Sequence, residues 1–134
     1  MSFTEDDYNE LSKKIINACI EVHKELGPGL MESVYEVCLI SVLKKNKLNP
    51  KQQVLLPVVF KGEKLDKDFV IDILVDDKII LELKSVETIL PVHEAQLVSY
   101  LKLANKKLGL LVNFNVPLLT QGIRRKINGN LNSV

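Results

Sequence analysis

Two strongly apolar runs, residues 69–75 and 78–85, flank the dipeptide Asp76-Asp77. Runs of this length, rich in Ile, Leu and Val and broken by a short acidic turn, read as a β-hairpin. A hairpin this apolar has to lie in the core, and the rest of the chain has to cover it. The length permits this: 134 residues suit one domain and can bury a core without disulfide staples.

The flanking segments supply covering elements. Thr4 followed by Glu5, Asp6 and Asp7 has the pattern of a helix N-terminus. Leu11, Ile15, Cys19, Val22 and Leu26 recur at helical spacing and predict an amphipathic helix over residues 6–26. Gly27-Pro28-Gly29 stops it, with Gly27 placed for a C-terminal cap. A second helix is expected over 30–47, where Val34, Val37, Cys38, Leu39, Val42 and Leu43 give a broad apolar face. Asn49-Pro50 ends that segment. Residues 52–60 read as a strand, with Pro57 implying an edge position or a bulge, and Lys61-Gly62-Glu63 reads as a turn. After the hairpin, a third helix is expected over 91–104, a buried strand over 108–114 and a helical turn over 117–122. The expected order is α-α-β-β-β-α-β, an α/β fold forming one domain over 1–127, with a flexible tail over 128–134.

The composition is ordinary for a globular chain, 46% apolar and 26% charged. Cys19 and Cys38 sit in apolar-periodic stretches and read as small buried hydrophobes; no zinc-type spacing is present. The acidic start lacks the apolar region of a signal peptide, and no run approaches a membrane span, so a cytoplasmic location is expected. The net charge of +1 argues against an indiscriminate polyanion binder, but it is unevenly spread. Residues 1–94 carry 12 basic and 17 acidic side chains, a net of −5; residues 95–134 carry 6 basic and none acidic, a net of +6. Lys102, Lys106, Lys107, Arg124, Arg125 and Lys126 could form a phosphate-facing patch. The plainer reading is a solvated helix end and tail.

Charge inside the hairpin is the unusual feature. Asp72, Glu82 and Lys84 interrupt otherwise apolar strands, and a charge in a core strand costs free energy unless it is paired or coordinated. Glu82 and Lys84, two apart, share one face of their strand. Asp72 joins them only in one register. A strict two-residue turn pairs Val75 with Lys78 and sends Glu82 to the wrong face; the site requires paired numbers that sum to 154, hence a three-residue loop or a bulge. Two carboxylates and a lysine so placed suit phosphodiester hydrolysis with a hard divalent cation, Mg²⁺ or Mn²⁺. Lys84 would position the attacking water or stabilise the transition-state phosphate. Spacing alone leaves this level with a buried ion pair of Lys84 with Glu82 or Asp72.

Other residues fit either a site or ordinary surface. Glu32 lies in the first turn of the second helix, where a carboxylate contributes about 0.3–1 kcal/mol simply by facing the positive helix end; as a functional group it would be a third metal-directed acid. His93, Gln96 and Tyr100 fall on one stripe of the third helix. Gln96 and Tyr100 could bind a phosphate or a base edge, or orient Lys84. His93 reads as a hydrogen-bonding support rather than a metal ligand, though it too could touch substrate.

At this point the chain resembles a known family. Gly29-x-x-Glu32-x-x-Tyr35 matches the signature of the GxxExxY proteins, within the PD-(D/E)XK nuclease superfamily. The resemblance extends from about Leu11 to Lys126 and includes residues 21–29, 90–96 and 111–117. It implies a restriction-endonuclease-like core with a central mixed sheet flanked by helices. It implies Asp72 and Glu82 as the acidic motif, Lys84 as the catalytic lysine, Glu32 as the helix acid that completes a metal site, and Gln96-x-x-x-Tyr100 as a further site element. The activity implied is Mg²⁺-dependent cleavage of nucleic acid, DNA foremost. The alternative is a non-catalytic nucleic-acid-binding protein, or a homodimeric or accessory protein that keeps the fold.

Overall fold

Helix α1 (Glu5–Leu26) forms where the capping pattern places it. In the computed structural model, which describes residues 2–132, the Thr4 hydroxyl accepts from the Asp7 amide at 3.2 Å and the Asp7 carboxylate accepts from the Thr4 amide at 2.8 Å. This reciprocal box satisfies two amides that the helix itself cannot. Leu11, Ile15, Ala18, Cys19 and Val22 form its buried stripe. Gly27, at φ 69°, ends it and donates its amide to the His23 carbonyl at 2.8 Å. Helix α2 (Glu32–Lys45) buries Tyr35, Leu39, Ile40 and Leu43. Cys19 and Cys38 are both free thiols. Cys19 is buried as expected, which pushes its thiol up to about 12, whereas Cys38 is only half-buried.

The strands are β1 (Pro50–Phe60), β2 (Glu63–Val75), β3 (Ile79–Lys84), β4 (Leu108–Asn113) and β5 (Ile123–Ile127). They form one sheet in the order β1-β2-β3-β4-β5. Only β3 and β4 run parallel, joined by the crossover through α3 (Pro91–Ala104); the other neighbours are antiparallel. The central mixed sheet flanked by helices is therefore present. Its inner strands are the apolar runs: β4 is buried at every residue and β3 at all but Lys84.

Two stretches depart from the sequence reading. Residues 123–127, expected as a basic helix end and tail, form edge strand β5 against β4. Ile123-Arg124-Arg125-Lys126-Ile127 has three consecutive charges, so no alternation marks it as a strand; pairing with the buried β4 decides its conformation. Strand β2 also begins at Glu63, before the expected 69, because Glu63, Lys64 and Asp68 pair with the end of β1. The bulge expected near Pro57 is present as a register shift between Pro57 and Val59.

The sheet separates two cores. One face carries Ile73, Val75, Ile79, Leu81, Leu83, Leu108, Leu110 and Val112 against α1 and α2. The other carries Leu74, Ile80 and Leu111 against Leu97, Tyr100 and Leu101 of α3. Helix α3 sits directly on Gly109, where a β-carbon would press into the Leu97 side chain. The segment expected as a flexible tail is described as far as Asn132; residues 133–134 lie outside the described residues. Within it, Leu131 is buried in the larger core, and the Asn132 side chain bonds to the Glu5 amide and carboxylate at 2.9 and 3.2 Å.

Gly122 closes the short 3₁₀ turn Leu119–Gly122 ahead of β5. A β-carbon there would overlap the carbonyl oxygen of Asn113, which is backbone and cannot swing aside. Gly122→Ala is expected to destabilise the protein by roughly 1–3 kcal/mol, as overpacking does elsewhere. Equilibrium urea denaturation checks this; an unchanged midpoint would mean that β5 moves away without cost.

Candidate active site

The β2–β3 hairpin turns through Asp76 at φ 52° and Asp77 at φ 56°, and Val75 pairs with Ile79. The loop therefore spans three residues, and paired numbers sum to 154 through Leu74–Ile80 and Ile73–Leu81. This is the register that the acidic cluster requires, and it brings Asp72 opposite Glu82.

At that point the ladder stops, and carboxylates replace backbone partners. The Asp72 amide donates to Glu82 Oε1 at 3.2 Å, and the Leu83 amide donates to Asp72 Oδ2 at 2.8 Å. On the other side of β2, Gln53 lies across from Asp72. It has φ 50°, and the β1–β2 pairing skips it. Asp72 thus occupies a break in both ladders, where β2 opens enough for its side chain to reach β3. The other edge of β3 is paired with β4 from Ile79 to Lys84, so Glu82 and Lys84 project from a fixed strand. They share the parity of Ile80 and lie on the α3 face, while Leu81 and Leu83 enter the opposite core.

Burial sets the electrostatics. Glu82 is 5% exposed. Its burial first, and the Asp72 charge second, push its carboxyl up to about 8; nearby Lys84 pulls weakly the other way. Tyr100, 7% exposed, reaches the same place from α3, its ring 5.6 Å from that of Phe69. Its hydroxyl is raised by burial, then by the Glu82 and Asp72 charges, so it stays a donor. Gln96 is exposed one turn earlier on α3. Among the described residues the ion pairs are Lys106–Asp77 and Lys126–Glu94, so Lys84 is not locked to either carboxylate. The geometry does not produce the buried ion pair that spacing alone allowed.

No three His, Cys, Asp or Glu side chains gather into a metal-holding group among the described residues. Glu32 accordingly stands apart from the Asp72–Glu82 pair. It is exposed on the first turn of α2, in an open depression of about 560 Å³ that it shares with Ser33, Ser85 and Asn115. The pair itself suits a hard cation by its chemistry. Two adjacent carboxyl groups, one of them raised by burial and by the charge of the other, offer oxygen ligands whose ionised forms a divalent ion would stabilise.

The basic residues do not form one patch. Arg125 points to the α1 side and donates to Asn9 at 2.8 Å. Lys126 turns to the α3 side and pairs with Glu94 at 2.7 Å, where Arg124 also acts on Glu94. Arg124 Nη1 donates to the carbonyls of Gln121 and Ile123. Lys106 pairs with Asp77 at 3.1 Å, beside the hairpin turn and away from Lys84. Lys107 follows it just ahead of β4, its carbonyl accepting from the Asn128 amide. Lys102 is exposed in the last turn of α3. Alternation along β5 causes the split, because adjacent strand residues face opposite sides. His93 Nδ1 accepts from the Leu90 amide at 3.0 Å, closing the start of α3 as a support would.

Two buried polar residues carried little signal in the sequence. Asn113, 2% exposed, accepts from the amides of Val86 and Asn115 and donates to the Val86 carbonyl at 2.8 Å, clamping the chain as it leaves β3. His23, 8% exposed, bonds to the Val116 carbonyl at 2.8 Å. A polar residue at the end of an apolar run was the available signal for Asn113, since a buried amide must find partners.

The family model for the PD-(D/E)XK nuclease superfamily matches residues 9–126. The chain belongs to that superfamily. The match to this PD-(D/E)XK protein takes in the hairpin, α3, strands β1 to β4 and all of β5 but its last residue. No curated protein matches the chain. Among solved structures, the crystal structure of SSO0001 is similar at 28% identity and a TM-score of 0.50, over 75% of this chain and 52% of that one. The PD-(D/E)XK chain thus spans about half the length of that structure. No described helix is long and apolar enough to cross a membrane.

Proposed function

We propose that the protein is a Mg²⁺- or Mn²⁺-dependent nuclease that hydrolyses phosphodiester bonds of DNA at the Asp72–Glu82–Lys84 cluster. The observation that carries this reading is the meeting of Asp72 and Glu82 carboxylates at a break in the sheet, with Lys84 beside them and tied to neither. Membership of a nuclease superfamily and the Gly29-x-x-Glu32-x-x-Tyr35 signature support it.

Asp72 and Glu82 would hold the cation, each already oriented by a backbone amide through one oxygen; Glu32, which stands apart from them, would join the set only if the start of α2 moved toward the pair. When bound, the cation supplies charge for the phosphoryl oxygen and lowers the pKa of a water. Glu82 would have to lose its proton to serve as a ligand. Lys84 holds the attacking water or faces the charge that grows on the phosphate. Tyr100, kept protonated, offers a hydrogen bond to a phosphate oxygen, and Gln96 on the outer turn meets the strand or a base edge. The exposed Lys102 and Arg124 would meet the backbone.

The dispersal of the other basic side chains favours a second reading, a binding or accessory protein that keeps the fold. Cleavage of labelled single- and double-stranded DNA and RNA with Mg²⁺ or Mn²⁺, by wild type, Asp72→Ala and Lys84→Ala, separates the two. Cleavage lost in both variants supports the nuclease. Salt-sensitive binding without cleavage supports the alternative.

A further inference from the structure

The β1–β2 hairpin runs on past β3 and leaves an open edge. Strand β3 pairs only with Ile73, Leu74 and Val75 of β2. Among the described residues, no strand therefore lies beside residues 63–71 on the side away from β1. The β1 ladder itself passes from Asp68 to Lys64 and skips residues 65–67. Residues 63–68 are all exposed, Leu65 at 39%.

An open edge is a template for another strand unless something blunts it. The outer edge of β1 is blunted: Pro50 and Pro57 have no amide to give, and Gln53 sits at φ 50°. From 63 to 68, β2 has no proline and no left-handed residue. Charge alone guards this edge, and the charges are ordered. Glu63, Lys64, Leu65, Asp66 and Lys67 read minus, plus, apolar, minus, plus.

That order is antisymmetric about Leu65. A second copy laid antiparallel along the edge is related to the first by a two-fold axis normal to the sheet. Such an axis keeps every side chain on its own face, so paired numbers must sum to an even value. A sum of 130 sets Leu65 against Leu65, Glu63 against Lys67 and Lys64 against Asp66. Counted from both copies, that makes four opposite-charge pairs around an apolar centre. A sum of 128 sets Lys64 against itself and Lys61 against Lys67; a sum of 132 sets Asp66 against itself. Among the described residues, none of the four charges has an ion-pair partner in its own chain.

We propose that a second copy of this chain docks edge to edge on residues 63–68 of β2, in the register that sums to 130. The two five-stranded sheets then join through β2, with both α3 faces on the same side. The partner's turn falls opposite Phe69 and Asp68, so the partner ends short of Asp72, where the Glu82 side chain takes over. Exposed ion pairs are individually weak and are screened by salt, so the dimer belongs to low salt. It stands whichever reading of the acidic pair holds.

Sedimentation equilibrium of the full chain at low and high salt is the test. The wild type is expected to dimerise at low salt, with a dissociation constant about tenfold or more higher at high salt. Lys64→Glu/Lys67→Glu makes all four charges acidic, and Glu63→Lys/Asp66→Lys makes all four basic. Each variant alone is expected to associate about tenfold more weakly or worse, and an equal mixture of the two is expected to form a heterodimer, because every pair is again opposite. Leu65→Cys, on the axis, is expected to give a disulfide-linked dimer on mild oxidation, above the wild-type background set by half-buried Cys38, since opposed α-carbons about 5 Å apart suit the bond. Lys67→Cys, opposite Glu63, is not. A wild type that stays monomeric at low salt overturns the proposal. So does a mixture no more associated than its parts, or a dimer that both charge variants keep, which would place the contact elsewhere. Equal cross-linking at 65 and 67 overturns the register.

Discussion

In metal-free buffer the protein is expected to lose stability as pH rises from about 5 to about 8, and Glu82→Gln is expected to remove most of that loss. Burial and the Asp72 charge lift the Glu82 carboxyl from an ordinary 4.5 to about 8 in the folded state. Between those values the folded protein holds a proton that the unfolded chain releases, so stability falls with rising pH. The contribution is complete below the unfolded value and is lost as pH passes through the folded one. At about 1.4 kcal/mol per pKa unit this amounts to a few kcal/mol, a large part of a typical domain's stability. Gln keeps an Oε1 acceptor for the Asp72 amide and carries no charge at any pH. The lowered carboxyls of Asp7, Asp77 and Glu94 act with the opposite sign, but only as pH falls below the ordinary carboxylate range, outside this window. Urea denaturation at pH 5, 6, 7 and 8 with a chelator present measures the effect. A flat wild-type profile, or an equal slope in Glu82→Gln, would show that Glu82 does not hold its proton.

The largest effects on activity are expected at Asp72 and Lys84. On the proposed reading Asp72→Ala removes a cation ligand, and it also removes the acceptor that holds the Leu83 amide, so the strand that presents Glu82 and Lys84 loses its cross-link to β2. Lys84→Ala removes a cation that is bound to neither carboxylate and is therefore available to substrate. Removing one well-placed charge-stabilising group costs about 10²–10³ in kcat, and loss of the bound cation costs at least as much. Lys84→Ala is expected to lower kcat by that factor while Mn²⁺ still binds; Asp72→Ala is expected to lose both. Arg is no substitute at position 84, because a planar guanidinium cannot place a point charge in the same spot. Initial rates on a fluorescently labelled DNA strand, with divalent ion titrated for each variant, distinguish the two losses. Equal rates in wild type and Lys84→Ala would remove the lysine from the chemistry.

The core of this arrangement was legible in the sequence because a period-2 strand leaves little freedom. Charges at 72, 82 and 84 inside apolar runs could meet only in the 154 register, and that is the register found. The helices were legible for a similar reason: capping residues and glycines punctuate them, and their predicted ends agree with the fold to within two residues. What stayed hidden depended on partners distant in sequence. Strand β5 is a run of charges that only β4 makes into a strand. The basic patch dissolved because alternation along β5 sends Arg125 and Lys126 to opposite faces. Glu32 lies at a helix start, which carries no sequence cue to its distance from Asp72, and among the described residues it joins no metal-holding group. Asn113 clamps Val86 through three-dimensional proximity alone.

If Asp72 and Glu82 form a divalent-cation site, loading that site must release a proton. With Glu82 titrating at about 8, the metal-free pair holds most of one proton at pH 7, and a cation must displace it. Calorimetric titration of Mg²⁺ or Mn²⁺ at pH 7, repeated in buffers of different ionisation enthalpy, counts the protons released on binding. Binding is expected with release of close to one proton, lost in Asp72→Ala and proceeding without proton release in Glu82→Gln if the ion still binds. Binding without proton release in the wild type, or binding that persists in Asp72→Ala, would contradict a cation site at this pair.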